Sequence, residues 1–259
     1  MKIGIMLESL GLPFRQALAV AARSGVTGVQ FHSVGELAPE RLSDTGRREL
    51  RSILKNHNLN LTALNCSLRY GLDEAQNAQA RLEHIRRVMD LSYELGARIT
   101  VVPCPRLPAE GVTNSGILHE ALVDLGQHGD RTGTDLALEV GLDSMERTAD
   151  YLKSFQRASL RVNYDPANLM LRDQDPIRSM LPLAGLISHV QARDVQQARV
   201  SRTAAEVAVG AGDIDWLTLM GTLASLEYRG WIVIKRESAQ CQPAELSAAV
   251  AFLSRMIMR

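Results

Sequence analysis

The stretch Trp231–Ser238, WIVIKRES, decides the predicted fold of this chain. Its first four residues form an apolar, mostly β-branched run, which is typical of a strand buried on both faces of a parallel sheet. At Lys235 the run changes into the charged sequence Lys-Arg-Glu. We therefore predict a buried strand whose carboxyl end places polar side chains in a functional site.

The same kind of short apolar run recurs upstream and alternates with helical patterns, as expected for a parallel sheet. The predicted strands are Lys2–Met6, Gly28–His32, Leu59–Asn65, Ile99–Pro103, Leu136–Val140, Leu160–Tyr164, Ile187–Gln191 and Trp231–Lys235. Eight strand–helix units predict one α/β domain over residues 1–259, a closed (β/α)8 barrel of the TIM type. An open doubly wound sheet shows the same alternation, but the chain has no glycine-rich phosphate fingerprint.

Helix signals lie between these strands. Predicted helices include one opened by Pro13 and others at Ser43–His57, Glu74–Leu95, about Ser115–Gln127, after Ser144 and at Trp216–Leu226, the last with Asp215 as N-cap. The segment between Val195 and Gly212, which contains Arg199 and Arg202, is long for a connection between a strand and a helix. We predict a loop there that covers the mouth of a site.

Composition excludes several classes of protein. The 29 acidic and 29 basic residues give a formal net charge of zero, which is unlike a nucleic-acid binder. No apolar stretch approaches a membrane-spanning helix, and the amino terminus lacks a signal sequence, so we expect a cytoplasmic protein without membrane contact. Three cysteines without metal-type spacing predict no disulfide framework.

Polar residues end four successive predicted strands, and in such a barrel the chemistry collects at these ends. They are Glu139, Asp165, Gln191 and Lys235. Two carboxylates and a carbonyl are ligands for a hard divalent cation, but the fourth position carries an ammonium. That ammonium can satisfy Glu139 and Asp165 without a metal.

Motifs at these strand ends resemble those of the xylose isomerase-like TIM barrels, which include sugar phosphate isomerases and epimerases related to endonuclease IV. The matching segments are Leu138-Glu139, Asn163–Asn168, His189–Asp194, Gly210–Trp216 and Ile234–Glu237, together with the loop Arg69–Leu72 and the junction Glu94–Arg98. The resemblance covers essentially the whole chain. It implies a carbohydrate isomerase or epimerase with a small sugar or sugar derivative as its partner, and it leaves a homo-oligomeric assembly open.

In that family a Glu, an Asp, a His and a Glu on strands five to eight hold manganese, magnesium or a similar ion, and the two Glu act as acid and base. By position Glu139 and Asp165 match, whereas Gln191 and Lys235 replace the His and the second Glu. We therefore expect no cofactor. A retained Mn, Mg or Zn ion would have Glu139, Asp165 and Gln191 as its ligands.

Several candidate residues have a plainer interpretation. Glu139 and Lys235 can form a structural ion pair, Asp165 can simply shape a turn, and His189 can be a core histidine. Cys66 and Cys104 are expected to be buried apolar residues. The candidate substrate contacts are His32, Arg69, Asn168, His189, Arg193, Arg236 and Glu237.

Three hypotheses follow for the function. In the first, Glu139 is the base of a sugar or sugar-phosphate isomerase or epimerase and Lys235 stabilises the enediolate oxygen in place of a metal. In the second, the barrel binds a sugar, polyol or sugar acid without catalysis. In the third, Lys235 forms a Schiff base, which ranks last because neighbouring carboxylates raise the pKa of a lysine.

Overall fold

Eight parallel strands form the closed barrel that the sequence predicts, with helices around it. The computed structural model describes residues 1–109, 116–197 and 204–257. Its strands are β1 (Lys2–Met6), β2 (Gly28–His32), β3 (Asn60–Asn65), β4 (Ile99–Pro103), β5 (Asp135–Glu139), β6 (Leu160–Tyr164), β7 (Ile187–Ala192), β8 (Asp194–Gln197), β9 (Ala204–Val207) and β10 (Trp231–Ile234). Around the barrel the order is β1–β10–β7–β6–β5–β4–β3–β2.

The helices bury their apolar stripes against the outer surface of the barrel. They are α1 (Phe14–Arg23), α2 (Asp44–Asn56), α3 (Ala78–Glu94), α4 (Ile117–Thr132), α5 (Met145–Ser154), α6 (Pro166–Met170), α7 (Trp216–Ser225) and α8 (Pro243–Ile257). Side chains cap three of them as their positions predict: Ser43, Ser144 and Asp215 accept backbone N–H groups of the first turn. None of the helices in the described ranges combines the length and apolarity that crossing a membrane requires.

Two helix boundaries differ from the prediction by four residues or more, the start of α3 and the end of α4. Helix α3 begins at Ala78 rather than Glu74, because Asn77 has a left-handed backbone with φ of 55° that a helix cannot continue through. Helix α4 runs on to Thr132, where Gly133 ends it in the left-handed conformation. The predicted start of α4, Ser115, lies outside the described residues.

The segment after β7 is not the simple loop that the sequence predicts, because it contains the antiparallel hairpin β8–β9. The side chain of Asp194, at the base of this hairpin, is fully buried. Its carboxylate accepts the backbone N–H groups of Val195, Gly210, Gly212 and Ile214 and the indole N–H of Trp216. Asp194 thus ties the hairpin to the start of α7. Arg199 and Arg202 lie outside the described residues.

Glycine lets three elements approach closely at the amino-terminal end of the barrel. A Cβ atom on Gly28 of β2 would lie 2.5 Å from a methyl carbon of Thr62 and 2.5 Å from a ring carbon of Trp231. A Cβ atom on Gly4 of β1 would lie 2.9 Å from the carbonyl oxygen of Gly28. The absence of side chains at these positions leaves room for Trp231 and Thr62.

Candidate functional site

A cavity of about 440 Å³ opens at the carboxyl ends of the barrel strands. Glu139 pairs with Asn163 across β5 and β6, and Asn163 pairs with His189 across β6 and β7, so these strands end at one level. Side chains that follow parallel strands therefore meet at this end of the barrel. The lining residues are Met6, Glu8, Ser9, His32, Asn65, Cys66, Ser67, Leu68, Pro103, Glu139, Lys235, Arg236 and Glu237.

The ammonium of Lys235 lies among the polar groups at this end of the barrel. Its Nζ atom is 3.0 Å from Oε1 of Gln191 and 2.6 Å from Oε1 of Glu237. It is 3.5 Å from Oε2 of Glu139 and 3.9 Å from Oδ2 of Asp165. Burial acts to lower the pKa of Lys235, but the three carboxylates outweigh burial and raise it. The side chain is therefore a charged ammonium at neutral pH.

Glu139, the last residue of β5, presents its carboxylate to the cavity. Its side chain is 21 % exposed, whereas that of Lys235 is 7 % exposed. Oε1 accepts a hydrogen bond of 3.1 Å from Nδ2 of Asn168, and Oε2 faces Lys235. These two contacts fix the orientation of the carboxylate while one side of it remains accessible to a ligand.

Asp165 is fully buried at the start of α6. Its Oδ1 accepts the backbone N–H groups of Ala167 and Asn168, which makes it the N-cap of the helix. Its Oδ2 lies 3.1 Å from Nε of Arg193. Burial raises the pKa of Asp165 to about 6, and the charge of Arg193 opposes that rise. Both the turn interpretation and the predicted position at the site therefore apply to Asp165.

Glu237 connects the two buried cations. Its carboxylate accepts hydrogen bonds from Lys235 and from the guanidinium of Arg193, which also donates to Asn168. Burial acts to raise the pKa of Glu237, but Lys235 and Arg193 outweigh it and lower the pKa. Glu237 is thus a carboxylate at neutral pH.

The predicted metal ligands do not fit a divalent cation. Glu139, Asp165 and Gln191 do surround one position, but the ammonium of Lys235 lies within 3.9 Å of all three. The carbonyl oxygen of Gln191 lies 3.0 Å from the Lys235 ammonium, whose charge repels a metal cation there, and its NH2 group, which donates to Gln30 at 3.2 Å, is not a metal ligand. Among the described residues no group of three or more His, Cys, Asp or Glu is arranged to hold a metal ion.

His32, at the end of β2, lies on another wall of the cavity. Its Nδ1 is 2.6 Å from Oγ of Ser67, and its backbone N–H donates to Oε1 of Glu8 at 2.8 Å. Burial lowers the pKa of His32, the carboxylate of Glu8 opposes this, and the charge of Lys235 lowers it further. The imidazole is therefore neutral at pH 7.

Four predicted substrate contacts do not line the cavity: Asn168 and Arg193, which bond to its lining residues Glu139 and Glu237, and His189 and Arg69. His189 is fully buried in the barrel, with Nδ1 2.8 Å from Oδ1 of Asn163 and Nε2 3.4 Å from Oγ1 of Thr62. Burial lowers its pKa to about 3, so it is a neutral core histidine. Arg69 is exposed, and its guanidinium lies 5.6 Å from the ring centroid of Tyr70.

Arg236 lines the cavity, but its guanidinium pairs with other groups. Its Nε is 3.3 Å from Oε1 of Glu206 and 3.5 Å from Oε1 of Glu245. The carboxylate of Glu206, in β9, also accepts the backbone N–H groups of Glu237 and Ser238. The hairpin β8–β9 thereby fixes the segment that carries Glu237.

Four polar residues near the site escaped the sequence analysis: Glu8, Gln30, Asn65 and Ser67. Glu8 and Ser67 follow β1 and β3, and Asn65 is the last residue of β3, so the rule that located Glu139 also applies to these three. Gln30 lies within β2, and a polar amide in the middle of a strand that is otherwise buried indicates a functional or hydrogen-bonded position.

Comparison with known proteins gives matches along nearly the full chain. A sequence profile described as xylose isomerase-like TIM barrel matches residues 18–256. No curated protein sequence matches significantly. Among solved structures, 3-keto-D-glucoside 4-epimerase YcjR from E. coli is 19 % identical, with 98 % of this chain and 99 % of that chain covered and a TM-score of 0.77.

Two further solved structures share this fold. D-psicose 3-epimerase from Clostridium cellulolyticum H10, solved with D-tagatose, is 14 % identical with a TM-score of 0.78, and 99 % of each chain is covered. A xylose isomerase-like TIM barrel protein from Mycobacterium smegmatis, in complex with magnesium, is 14 % identical with a TM-score of 0.78, covering 99 % of this chain and 96 % of that one. With its barrel and the match to residues 18–256, the chain belongs to the xylose isomerase-like TIM barrel family.

Proposed function

We propose that this chain is a sugar isomerase or epimerase that works without a metal ion, with Glu139 as the base and Lys235 as the fixed cation. The observation that carries the proposal is the position of the Lys235 ammonium, 3.5 Å from Glu139 and 3.9 Å from Asp165. The chain belongs to the xylose isomerase-like TIM barrel family, and solved structures with this fold include sugar epimerases. These likenesses support the class of reaction.

In the proposed step, Glu139 removes a proton from the carbon next to the sugar carbonyl. The electron pair of the C–H bond forms a carbon–carbon double bond, and the carbonyl π pair moves onto oxygen to give an enediolate. The ammonium of Lys235 stabilises that oxygen through its positive charge. In an isomerisation the hydroxyl proton moves from one enediolate oxygen to the other and Glu139 returns its proton to the former carbonyl carbon, whereas an epimerisation needs a donor on the opposite face.

The charge pattern of the mouth favours an uncharged sugar over a sugar phosphate. Lys235 contacts three carboxylates, Arg193 contacts Asp165 and Glu237, and Arg236 contacts Glu206 and Glu245. Each of these cations therefore already has an anionic partner. A phosphate group would have to compete with those carboxylates.

Lys235 acts in this proposal as an ammonium and not as a Schiff-base amine. Its pKa lies above the ordinary value because the neighbouring carboxylates outweigh burial. An amine nucleophile must lose its proton first, which a raised pKa opposes.

One observation favours a second candidate function, a non-catalytic sugar or polyol binder. An ammonium has three N–H groups, and those of Lys235 face Gln191, Glu237 and Glu139. In that arrangement the lysine neutralises the mouth and leaves the cavity walls to bind hydroxyl groups.

Deuterium exchange tests the proposal. The protein is incubated with a panel of aldoses, ketoses and sugar phosphates in D2O, and deuterium at the carbon next to the carbonyl is followed by NMR. We expect exchange with at least one uncharged sugar. The Glu139→Gln and Lys235→Met variants should each lower the rate by about 100-fold or more, because one removes the base and the other the stabilising charge.

Matched controls are Glu146→Gln and Lys55→Met, which make the same chemical changes at exposed positions outside the cavity. A Lys235→Met variant that exchanges at the wild-type rate contradicts the role of the lysine. Loss of exchange after chelator dialysis, with recovery on addition of manganese or magnesium, contradicts the metal-free site. Sugar binding by calorimetry without any exchange supports the second candidate.

A further inference from the structure

A chain of side-chain amides crosses the barrel interior from Lys235 to His32. Nζ of Lys235 is 3.0 Å from Oε1 of Gln191, whose Nε2 is 3.2 Å from Oε1 of Gln30. Nε2 of Gln30 is 3.4 Å from Oδ1 of Asn65. Nδ2 of Asn65 lies 3.3 Å from Nδ1 and 3.5 Å from Nε2 of His32. We call Gln191, Gln30 and Asn65 the amide relay.

The ammonium at one end sets the direction of the whole relay. An ammonium can only donate hydrogen bonds, so the atom of Gln191 that faces Lys235 must be its carbonyl oxygen. The NH2 group of Gln191 then faces Gln30, whose oxygen must accept it. Because Gln191 and Gln30 are fully buried, no water reorients them, and a flip of either amide would set like groups against each other.

The last amide of the relay therefore presents an N–H donor to His32. Nδ1 is the nearer ring nitrogen, and the hydroxyl of Ser67 lies 2.6 Å from it. The NH2 group of Asn65 can only donate, which favours the lone pair on Nδ1, the nearer nitrogen, and the hydroxyl of Ser67 can then donate to the same atom. A neutral imidazole with an unprotonated Nδ1 has its proton on Nε2.

We infer that the amide relay holds His32 as a neutral imidazole with its proton on Nε2, so that the ring presents an N–H donor at the cavity wall. If the cavity takes a sugar, as the proposed function requires, the natural acceptor is a carbonyl or hydroxyl oxygen of that sugar. A neutral donor can polarise such an oxygen without transferring a proton to it. Gln191, Gln30 and Asn65 are then positioning residues that act through His32.

The charges around His32 agree with a neutral ring. Burial is the largest influence and lowers its pKa, Glu8 opposes it, Lys235 lowers it, and Glu139 and Glu237 oppose it more weakly. Glu8 also accepts the backbone N–H of His32, which occupies one of its oxygens at 2.8 Å. The net direction is toward the neutral form.

NMR of the full-length chain with 15N-labelled histidine tests the inference, because long-range 15N–1H correlations distinguish the two neutral forms and the imidazolium. The signals of His32 are assigned by their loss in His32→Gln. At pH 7.5 we expect the pattern of a neutral ring with the proton on Nε2. The measurement needs no substrate, so it stands even if no sugar is deuterated.

Two variants reverse the end of the relay. In Gln30→Glu the new carboxylate can only accept, so Asn65 should turn its NH2 toward it and offer its oxygen to His32. In Asn65→Asp the carboxylate faces His32 directly. Both changes should move the proton of His32 to Nδ1 or produce the imidazolium. If Gln30→Glu fails to fold because position 30 is fully buried, Asn65→Asp still tests the inference, since Asn65 is only partly buried.

Asn60→Asp is the matched control, since Asn60 lies at the other end of β3 and donates to the backbone carbonyl of Thr27. It should leave the His32 pattern unchanged. The signals of His57 should stay the same in every sample. A wild-type His32 with its proton on Nδ1, or as an imidazolium at pH 7.5, overturns the inference. So does an unchanged His32 pattern in the folded Asn65→Asp variant.

Discussion

A single buried carboxylate, that of Asp194, holds the segment between β7 and α7 in place. It accepts five N–H groups and has no cation beside it among the described residues. In Asp194→Asn one acceptor oxygen becomes an NH2 group that faces N–H donors. We expect the free energy of unfolding to fall by about 2 to 3 kcal/mol, because buried donors lose their acceptor. Urea denaturation followed by circular dichroism measures the change.

Asp213→Asn is the matched control for that change. Asp213 is exposed and accepts the backbone N–H of Gln197 at 2.7 Å. We expect this variant to lose no more than about 1 kcal/mol. Equal losses in the two variants would mean that the buried network of Asp194 does not stabilise the fold more than an ordinary surface bond.

The position of polar residues at strand ends predicted which side chains meet at the carboxyl end of the barrel. Glu139, Lys235 and Glu237 line one cavity, and Asn168 and Arg193 bond to them, because strand ends converge in a closed barrel. The hydrogen-bond partners of each side chain could not be predicted from the sequence. The choice between a core and a site role for His189 depends on Asn163 and Thr62, and Thr62 belongs to a strand distant in sequence.

At the scale of elements, the packing of β2 against β1, β3 and β10 depends on Gly28. An added methyl group there would lie 2.5 Å from carbons of Thr62 and Trp231. We expect Gly28→Ala to lower the free energy of unfolding by about 1 to 3 kcal/mol through overpacking. Gly221→Ala is the control, since Gly221 is exposed within α7 and no atom lies within 4 Å of the added carbon.

Gly221→Ala should raise stability by about 0.5 to 1 kcal/mol, because alanine loses less backbone entropy in a helix. Melting temperatures of the two variants should therefore move in opposite directions. A Gly28→Ala variant as stable as the wild type would show that Trp231 can shift at no cost.

Element order followed from the hydrophobic pattern, whereas two boundaries and the hairpin did not. The predicted start of α3 at Glu74 is wrong because Asn77 adopts a left-handed backbone, which polar asparagine tolerates but no periodicity reveals. Strands β8 and β9 are short, and their pairing is anchored by the buried carboxylate of Asp194. Such an anchor is a tertiary contact, so a local pattern could not predict it.

At the scale of the whole molecule, the amino-terminal end of the barrel carries a buried carboxyl group, far from the mouth, that costs stability as pH rises. Burial raises the pKa of Asp135, the first residue of β5, to about 6, while Arg161 opposes that rise. The folded state therefore binds a proton more tightly than the unfolded state, so this group's contribution to stability is lost as pH rises from about 4 through 6. Asp135→Asn should raise the free energy of unfolding at pH 8 by about 1 to 2 kcal/mol.

Denaturation of wild type and Asp135→Asn at pH 4.5 and pH 8 checks the sign. The advantage of the variant should be small at pH 4.5 and larger at pH 8. Asp150→Asn, at an exposed position on α5, controls for the loss of one negative charge. An advantage that is the same at both pH values would assign the gain to packing and not to ionisation.

The ammonium of Lys235 also bears on how such a protein depends on its cell. A bound ion must be acquired after synthesis, and its identity follows uptake and competition among the ions that are present. A cation that belongs to a side chain is made at translation, once per chain, and neither starvation nor a competing ion can replace it. In the proposed enzyme, ion supply would therefore no longer limit or regulate activity.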